Sequence, residues 1–217
     1  AELAAARADH LARKPAGLSF EQAAVLTVSG LTALKAIRDV GRVQNGQSVL
    51  VNGASGGVGV YAVQVAKALG AHVTGVCGSG NVDLVRSLGA DEVLDYTTTD
   101  VTQTGRRYDV ILDNAGTRGL AEWRRVLAPH GTFMPNSGTA GGQWLGTLPR
   151  MGQAALTSPF VGQRLRPFLS TPNPADLEAL TDLVVSGAVR PVISGTFPLD
   201  EAAAAMRVVT SGHTRGK

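Results

Sequence analysis

This sequence holds one cysteine in 217 residues, Cys77, so it can build neither an internal disulfide framework nor a multi-cysteine zinc site. A reducing, cytoplasmic setting is the expectation. Charge is scarce as well: Asp, Glu, Lys and Arg make up 17% of the chain, the formal net charge is only +3, and no dense basic run points to nucleic acid. Long apolar runs are missing, since no stretch approaches the about 20 residues of a membrane span. The opening AELAAARADHLARK breaks its alanines with Glu2, Arg7, Asp9 and Arg13, unlike the uninterrupted apolar core of a signal peptide. The four histidines, His10, His72, His130 and His213, are scattered without ligand spacing, and no bound metal is expected. Internal repeats and low-complexity blocks are absent too. What remains is a globular composition, 44% hydrophobic, long enough to bury roughly 70% of its unfolded surface.

A regular alternation begins near residue 48. SVLVN (48–52) is a short β-branched run, and the helical stretch Val58 to Leu69 puts Val58, Ala62, Val65, Ala66 and Leu69 on one face. HVTGVC (72–77) reads as a strand, Val82 to Leu88 as a helix, EVLDY as a short strand, and Tyr108 to Asn114 as a buried strand. Leu120 to Leu127 reads as another helix, GTFMPN as a strand, and RLRPFLS as a candidate sixth. Strands alternating with helices imply parallel pairing through right-handed crossovers, hence an α/β fold with a doubly wound parallel sheet of about six strands and helices on both faces. Ahead of it, Ser19 and Gln22 form a capping pattern leading into an apolar helix. Behind it, Ser137 to Gln163 is a weakly patterned stretch expected to be a functional loop. ADLEALTDLVVSG then reads as a helix stopped at Gly187.

The most informative stretch is NGASGGVG, Asn52 to Gly59, with four glycines just where a helix begins. A strand turning sharply into a helix exposes unpaired N–H groups and the positive end of the helix dipole, which together suit a pyrophosphate. Gly56 allows the phosphate to approach, and Gly59 allows the helix to pack closely. The letters fit two templates. As AxGxxG, Ala54, Gly56 and Gly59 give a Rossmann fingerprint; as GxxxGxG, Gly53, Gly57 and Gly59 give the short-chain dehydrogenase pattern, with NAG at 114–116 a further match. A short-chain enzyme needs Tyr-x-x-x-Lys downstream of that NAG. All three tyrosines, Tyr61, Tyr96 and Tyr108, lie upstream, and none has lysine four residues on, so that active site is excluded.

The end of the second strand reads Cys77, Gly78, Ser79, Gly80, Asn81, with no Asp or Glu where an NAD site commonly places one. Ser79, Asn81 and the Tyr96 hydroxyl are candidate donors to a 2′-phosphate. NADP(H) is the preferred cofactor on these residues, with NAD(H) as the alternative.

NGASGGVGVYAVQVAKALGAHVTGV, LVRSLGADEVLDY, YDVILDNAG and the closing GAVRPVISGTFPLDEAAAAMRVVTSGHTRGK together resemble the medium-chain dehydrogenase/reductase superfamily, closest to its zinc-free quinone oxidoreductase-like branch. The resemblance implies that Ser55, Gly56, Gly57, Val58 and Gly59 cradle the pyrophosphate. It puts Gly78, Ser79, Asn81 and Tyr96 near the adenosine ribose, and Asn114, Ala115 and Gly116 along the cofactor beyond the fourth strand. Ser137, Gly138, Phe160, Val161 and Thr32 would approach the nicotinamide. Family members typically carry Lys or Arg where this chain has Gly80 and Asn81. Zinc-dependent relatives place a cysteine ligand where Ser29 stands, and a hydroxyl does not replace a thiolate.

By the same resemblance, residues 1–47 are a lead-in with a crossing helix, 48–170 the dinucleotide-binding core, and 171–217 C-terminal helices and a return segment toward a substrate domain that has no counterpart here. The implied chemistry is hydride transfer to a small-molecule quinone, enone or carbonyl, with the proton donor outside this chain and no catalytic residue assigned in it. Asp113 and Tyr108 are expected to serve the fold or border the cofactor. The alternatives are a non-catalytic nucleotide-binding module and an enoyl reductase part of a larger synthase. No membrane is expected as partner, and a homodimer would form through a sheet edge supplied by GTFMPN or RLRPFLS.

Overall fold

The computed structural model describes residues 5–136, 148–210 and 215–216. Six strands form one sheet: β1 (Ser48–Asn52), β2 (His72–Cys77), β3 (Glu92–Asp95), β4 (Tyr108–Asp113), β5 (Leu127–Pro135) and β6 (Arg164–Leu165). Their order across the sheet is β3-β2-β1-β4-β5-β6, and every neighbouring pair is parallel. This is the doubly wound order, in which the chain starts at the centre, winds outward to one edge, then crosses back to build the other half. β1 and β4 stay paired to their last residues, and the connections leaving their C-terminal ends lead to helices on opposite faces, which leaves a crevice between those connections.

Helices cover both faces because alternate strand residues point to opposite sides. Val49 and Val51 of β1 join the core shared with α2 (Gly59–Ala68) and α3 (Val82–Ser87), while Leu50 joins Ile111, Phe133 and Trp123 on the face covered by α4 (Leu120–Val126). Trp123 and Phe133 stack there with ring centroids 6.2 Å apart.

Helix α2 is buried around its whole circumference from Gly59 to Ala66, where periodicity suggests one apolar face. The reason lies in α1 (Phe20–Leu34), which packs over α2 and sandwiches it against the sheet. Its polar residues are absorbed by that third layer. The Tyr61 hydroxyl donates to the Val25 carbonyl at 3.1 Å, and burial pushes its pKa up to about 12. Gln64 clasps the segment after α6 (Pro174–Val185), accepting from the Arg190 N–H at 2.8 Å and donating to its carbonyl at 3.1 Å. Helix α1 begins with the Ser19–Gln22 capping box that its sequence announces, and it runs on into a π-helical turn, Lys35–Val40. Helix α6 stops as expected, with Gly187 at φ 78° donating its N–H to Val184.

Three expectations are corrected. Residues 148–157 of the supposed loop form a helix, α5 (Leu148–Thr157); Leu148, Met151 and Ala155 recur at helical spacing inside a stretch whose Gly, Pro and Ser content suggests loop, and only Ala154 is buried. Strand β5 starts at Leu127, four residues ahead of GTFMPN, because the pairing jumps from Tyr108–Leu127 to Val110–Thr132 and lets the extra residues join. That strand is interior, between β4 and β6, so GTFMPN supplies no free edge. At this end of the sheet the edge belongs to RLRPFLS, the opposite edge being β3, and only Arg164 and Leu165 pair, Pro167 having no N–H to continue the ladder. The last described helix is α7 (Ala202–Thr210), none of whose residues is buried.

Candidate functional site

At the β1–β4 crossing, a cavity of about 890 Å³ opens along the C-terminal ends of the strands. Its floor is the glycine turn. Gly53 sits at φ 74°, a left-handed backbone that L side chains rarely adopt, and this lets β1 reverse sharply. Gly59 opens α2 so close beneath the turn that an added Cβ would stand 2.1 Å from the Gly53 carbonyl oxygen and 2.7 Å from the Ala54 backbone. At Gly56 the same Cβ would meet only the Gly53 oxygen, at 3.5 Å, and would otherwise enter open cavity. The two glycines therefore do different work. Gly59 is needed by the fold; Gly56 keeps space free for a ligand at the start of a helix.

Ser55, Gly56, Gly57, Val58 and Gly59 all line this cavity, as do Gly78, Asn81, Tyr96, Asn114 and Ala115. Other expected residues lie off its wall. The Thr32 hydroxyl donates to the Val28 carbonyl at 2.8 Å, one turn back in α1. The Ser79 hydroxyl is 3.1 Å from that of Thr97 and hydrogen-bonds the Asp95 carboxylate. Gly116 donates its N–H to Asp113 at 3.0 Å. Val161 packs into the Trp123 core, and Phe160, in a short turn after α5, is 85% exposed. Ser137 and Gly138 lie outside the described residues.

Several walls of the cavity carry no sequence motif. Ser29 of α1, Asn52 of β1, Thr99 and Val101 after β3, Arg118 after β4 and Asn136 after β5 all line it. Of these, Asn52, inside NGASGGVG, and Ser29, already singled out by the family resemblance, could have been found from a pattern. Arg118 is fixed there by Asp100 at 3.0 Å and Glu122 at 3.4 Å. Beneath the β4 end, Asp113 is fully buried. Its carboxylate accepts from Asn52 Nδ2 at 2.8 Å, Trp123 Nε1 at 3.0 Å, Arg150 Nη2 at 2.6 Å and the N–H of Gly116. A buried charge so surrounded is a structural hub, and here it shapes the Asn114–Gly116 turn.

At the β2 end the charges are finely divided. No acid stands on β2 itself, yet β3 brings one alongside: Asp95 receives hydrogen bonds from Ser79 and from the N–H and hydroxyl of Thr97, which hold its carboxyl below the usual carboxylate range. Sequence distance hid this neighbour. Across the same turn, Arg215 Nη2 donates to the Gly80 carbonyl at 2.9 Å, and Gly216 N–H donates to the Ser55 carbonyl at 2.9 Å. The closing residues thus bring a guanidinium to the place where residues 80 and 81 carry no cation. Cys77 lines the cavity, but burial, with Asp95 nearby, pushes its thiol up to about 11, which makes it a poor nucleophile.

The site fits a dinucleotide on two features of its own: a glycine turn with room above Gly56, and two enclosed polar atoms without partners on its wall, Asn81 Oδ1 and Asn114 Nδ2. Among the described residues, no group of three or more His, Cys, Asp or Glu side chains is placed to hold a metal ion, and Ser29 offers only a hydroxyl. Among the same residues, no helix is long and apolar enough to cross a membrane.

Comparison with known proteins agrees with this architecture. A family model described as zinc-binding dehydrogenase matches residues 88–217. The mouse protein named NAD(P)H oxidoreductase RTN4IP1, mitochondrial, is 38% identical over 228 residues, covering 96% of this chain and 57% of the relative. The Arabidopsis thaliana chloroplast envelope quinone oxidoreductase homolog is 34% identical, covering 100% and 67%. The solved quinone oxidoreductase of Coxiella burnetii superposes with a TM-score of 0.82 at 29% identity, over 94% of this chain and 62% of that one. This chain thus spans about three fifths of the length of the relatives it matches. With its sheet order, glycine turn and these matches together, the chain belongs to the zinc-binding dehydrogenase family of the medium-chain dehydrogenase/reductase superfamily, on its quinone oxidoreductase-like branch.

Proposed function

We propose that this chain is the cofactor-binding part of a zinc-independent, NAD(P)H-dependent oxidoreductase that reduces a small quinone, enone or carbonyl. The observation that carries this reading is the open floor at Gly56, set at the β1–β4 crossing over the start of α2. When bound, a reduced nicotinamide cofactor supplies a hydride. The chain's part is to hold and orient it: the N–H groups at the head of α2 face the diphosphate, the Asp113 hub sets the turn at Asn114, and the cavity walls limit water. The proton comes from outside these residues.

NADP(H) is the preferred form in this reading. Arg215 over Gly80 offers a positive partner for a 2′-phosphate, while Asp95, held ionised by Ser79 and Thr97, opposes it. The names of relatives containing NAD(P)H and quinone support the reaction class. A reducing, cytoplasmic location and a homodimer paired through the β6 edge complete the proposal; light scattering tests the dimer, and fractionation of the native cells tests the location. The central test is titration with NADPH and NADH, followed by cofactor fluorescence, alongside turnover of a quinone and enone panel. Saturable binding with NADPH the tighter is expected. No binding of either would refute the reading, and stoichiometric zinc in the purified protein would refute its metal-free part.

A further inference from the structure

Two asparagines close the β4–β5 corner of the cavity. Asn114 follows β4 and Asn136 follows β5; because these strands are parallel neighbours, both residues emerge at the same edge of the sheet. Their backbones are pinned: Asn114 N–H donates to the Asn52 carbonyl at 3.0 Å, and Asn136 N–H donates to the Asp113 carbonyl at 2.9 Å. Their side chains then meet, Asn136 Nδ2 donating to Asn114 Oδ1 at 2.8 Å. That bond fixes the sense of the Asn114 amide. With its oxygen taken, its Nδ2 is left enclosed on the cavity wall without an acceptor, a state that folded proteins rarely keep unless something else satisfies it.

The position of this corner says which ligand group could do so. A dinucleotide lies across the switch point, with its adenosine half over β2 and β3 and its other half over β4 and β5. The oxygen reaching Asn114 therefore comes from the second ribose. We propose that Asn136 is a positioning residue: by occupying the side-chain oxygen of Asn114, it holds that amide ready to donate from Nδ2 to a hydroxyl oxygen of the nicotinamide-side ribose. This rests on the dinucleotide reading above.

The test uses ADP, which stops at the diphosphate, and ADP-ribose, which carries the second ribose; neither has a 2′-phosphate, so cofactor preference does not enter. Calorimetric Kd values are compared for the wild-type chain, Asn114→Ala, Asn136→Ala and the double variant, with thermal melts as a check on folding. Each single variant is expected to weaken ADP-ribose about tenfold, the loss of one ordinary hydrogen bond, while ADP binding holds. Because Asn136 acts through Asn114, the double variant should lose no more than Asn114→Ala alone. Equal losses for ADP and ADP-ribose, additive losses in the double variant, or unchanged ADP-ribose binding would each overturn the proposal. A wild-type chain that binds neither ligand would instead bring down the dinucleotide reading, and this inference with it.

Discussion

Gly56 and Gly59 stand three residues apart in one motif, and the structure separates their roles sharply enough to test with the same substitution. In Gly59→Ala, the new methyl carbon starts 2.1 Å from the Gly53 oxygen and 2.7 Å from the Ala54 backbone, and neither neighbour is a flexible side chain that can swing away. Forcing such a contact costs about 1–3 kcal/mol or more, offset by the roughly 0.5–1 kcal/mol that alanine gains over glycine in a helix. A net loss of about 2 kcal/mol lowers Tm by roughly 4–8 °C in a chain of this size. In Gly56→Ala the methyl carbon meets one atom at an ordinary 3.5 Å, so stability should stay within about 0.5 kcal/mol of the wild type. Its effect falls on the ligand instead. Losing one amide contact to a charged phosphate costs about 1.5–3 kcal/mol, roughly 10- to 150-fold in Kd. Differential scanning calorimetry gives the Tm values, and NADPH titration gives the affinity. The reasoning fails if Gly56→Ala melts as low as Gly59→Ala, or if it binds the dinucleotide as tightly as the wild type.

Three further outcomes are expected. Arg150→Met strands the fully buried Asp113 carboxylate without its cation and should cost about 3–5 kcal/mol in urea unfolding; a loss under about 1 kcal/mol would mean that the hydrogen bonds to Asp113 suffice alone. Asp176 is buried, which by itself raises its pKa, but Arg38, Lys35 and Asn173 outweigh that and leave it below the usual carboxylate value. A depressed folded pKa contributes stability that is present above the unfolded value of about 3.9 and is lost as pH falls through the folded value, so Asp176→Asn should flatten the acid limb of a stability–pH curve below about pH 4. At the adenosine end, Arg215→Ala should lower the NADPH-over-NADH affinity ratio about tenfold, and Asp95→Asn should raise it; shifts in the opposite directions would refute the charge assignment there.

The strand–turn–helix around Asn52 to Gly59 was legible because its physics is local. A backbone needing φ 74° at Gly53 and no side chain at Gly59 leaves few alternatives in the sequence. The alternation of strands and helices was legible for the same reason: hydrophobic period and capping residues such as Ser19 act within a few positions. Helix α5 went unread although Leu148, Met151 and Ala155 recur at helical spacing, because it is short and set in a stretch rich in Gly, Pro and Ser that reads as loop. Gln64 was hidden among apolar neighbours, since its partner, Arg190, lies far along the chain.

The candidate site divides along the same line. By itself, the sequence determined the order of elements, the glycine turn and thus the place where a diphosphate can approach, for these depend on backbone conformation and side-chain size at single positions. Only the tertiary structure decided what surrounds that turn. Parallel pairing brings Asp95 of β3 beside Ser79, and the closing residues return to set Arg215 on Gly80. The same pairing makes Asn136 the neighbour of Asn114 and lets Arg150 neutralise Asp113. Each is a contact between groups distant in sequence, and electrostatic and hydrogen-bond energies depend on distance in space, which no local pattern of residues records.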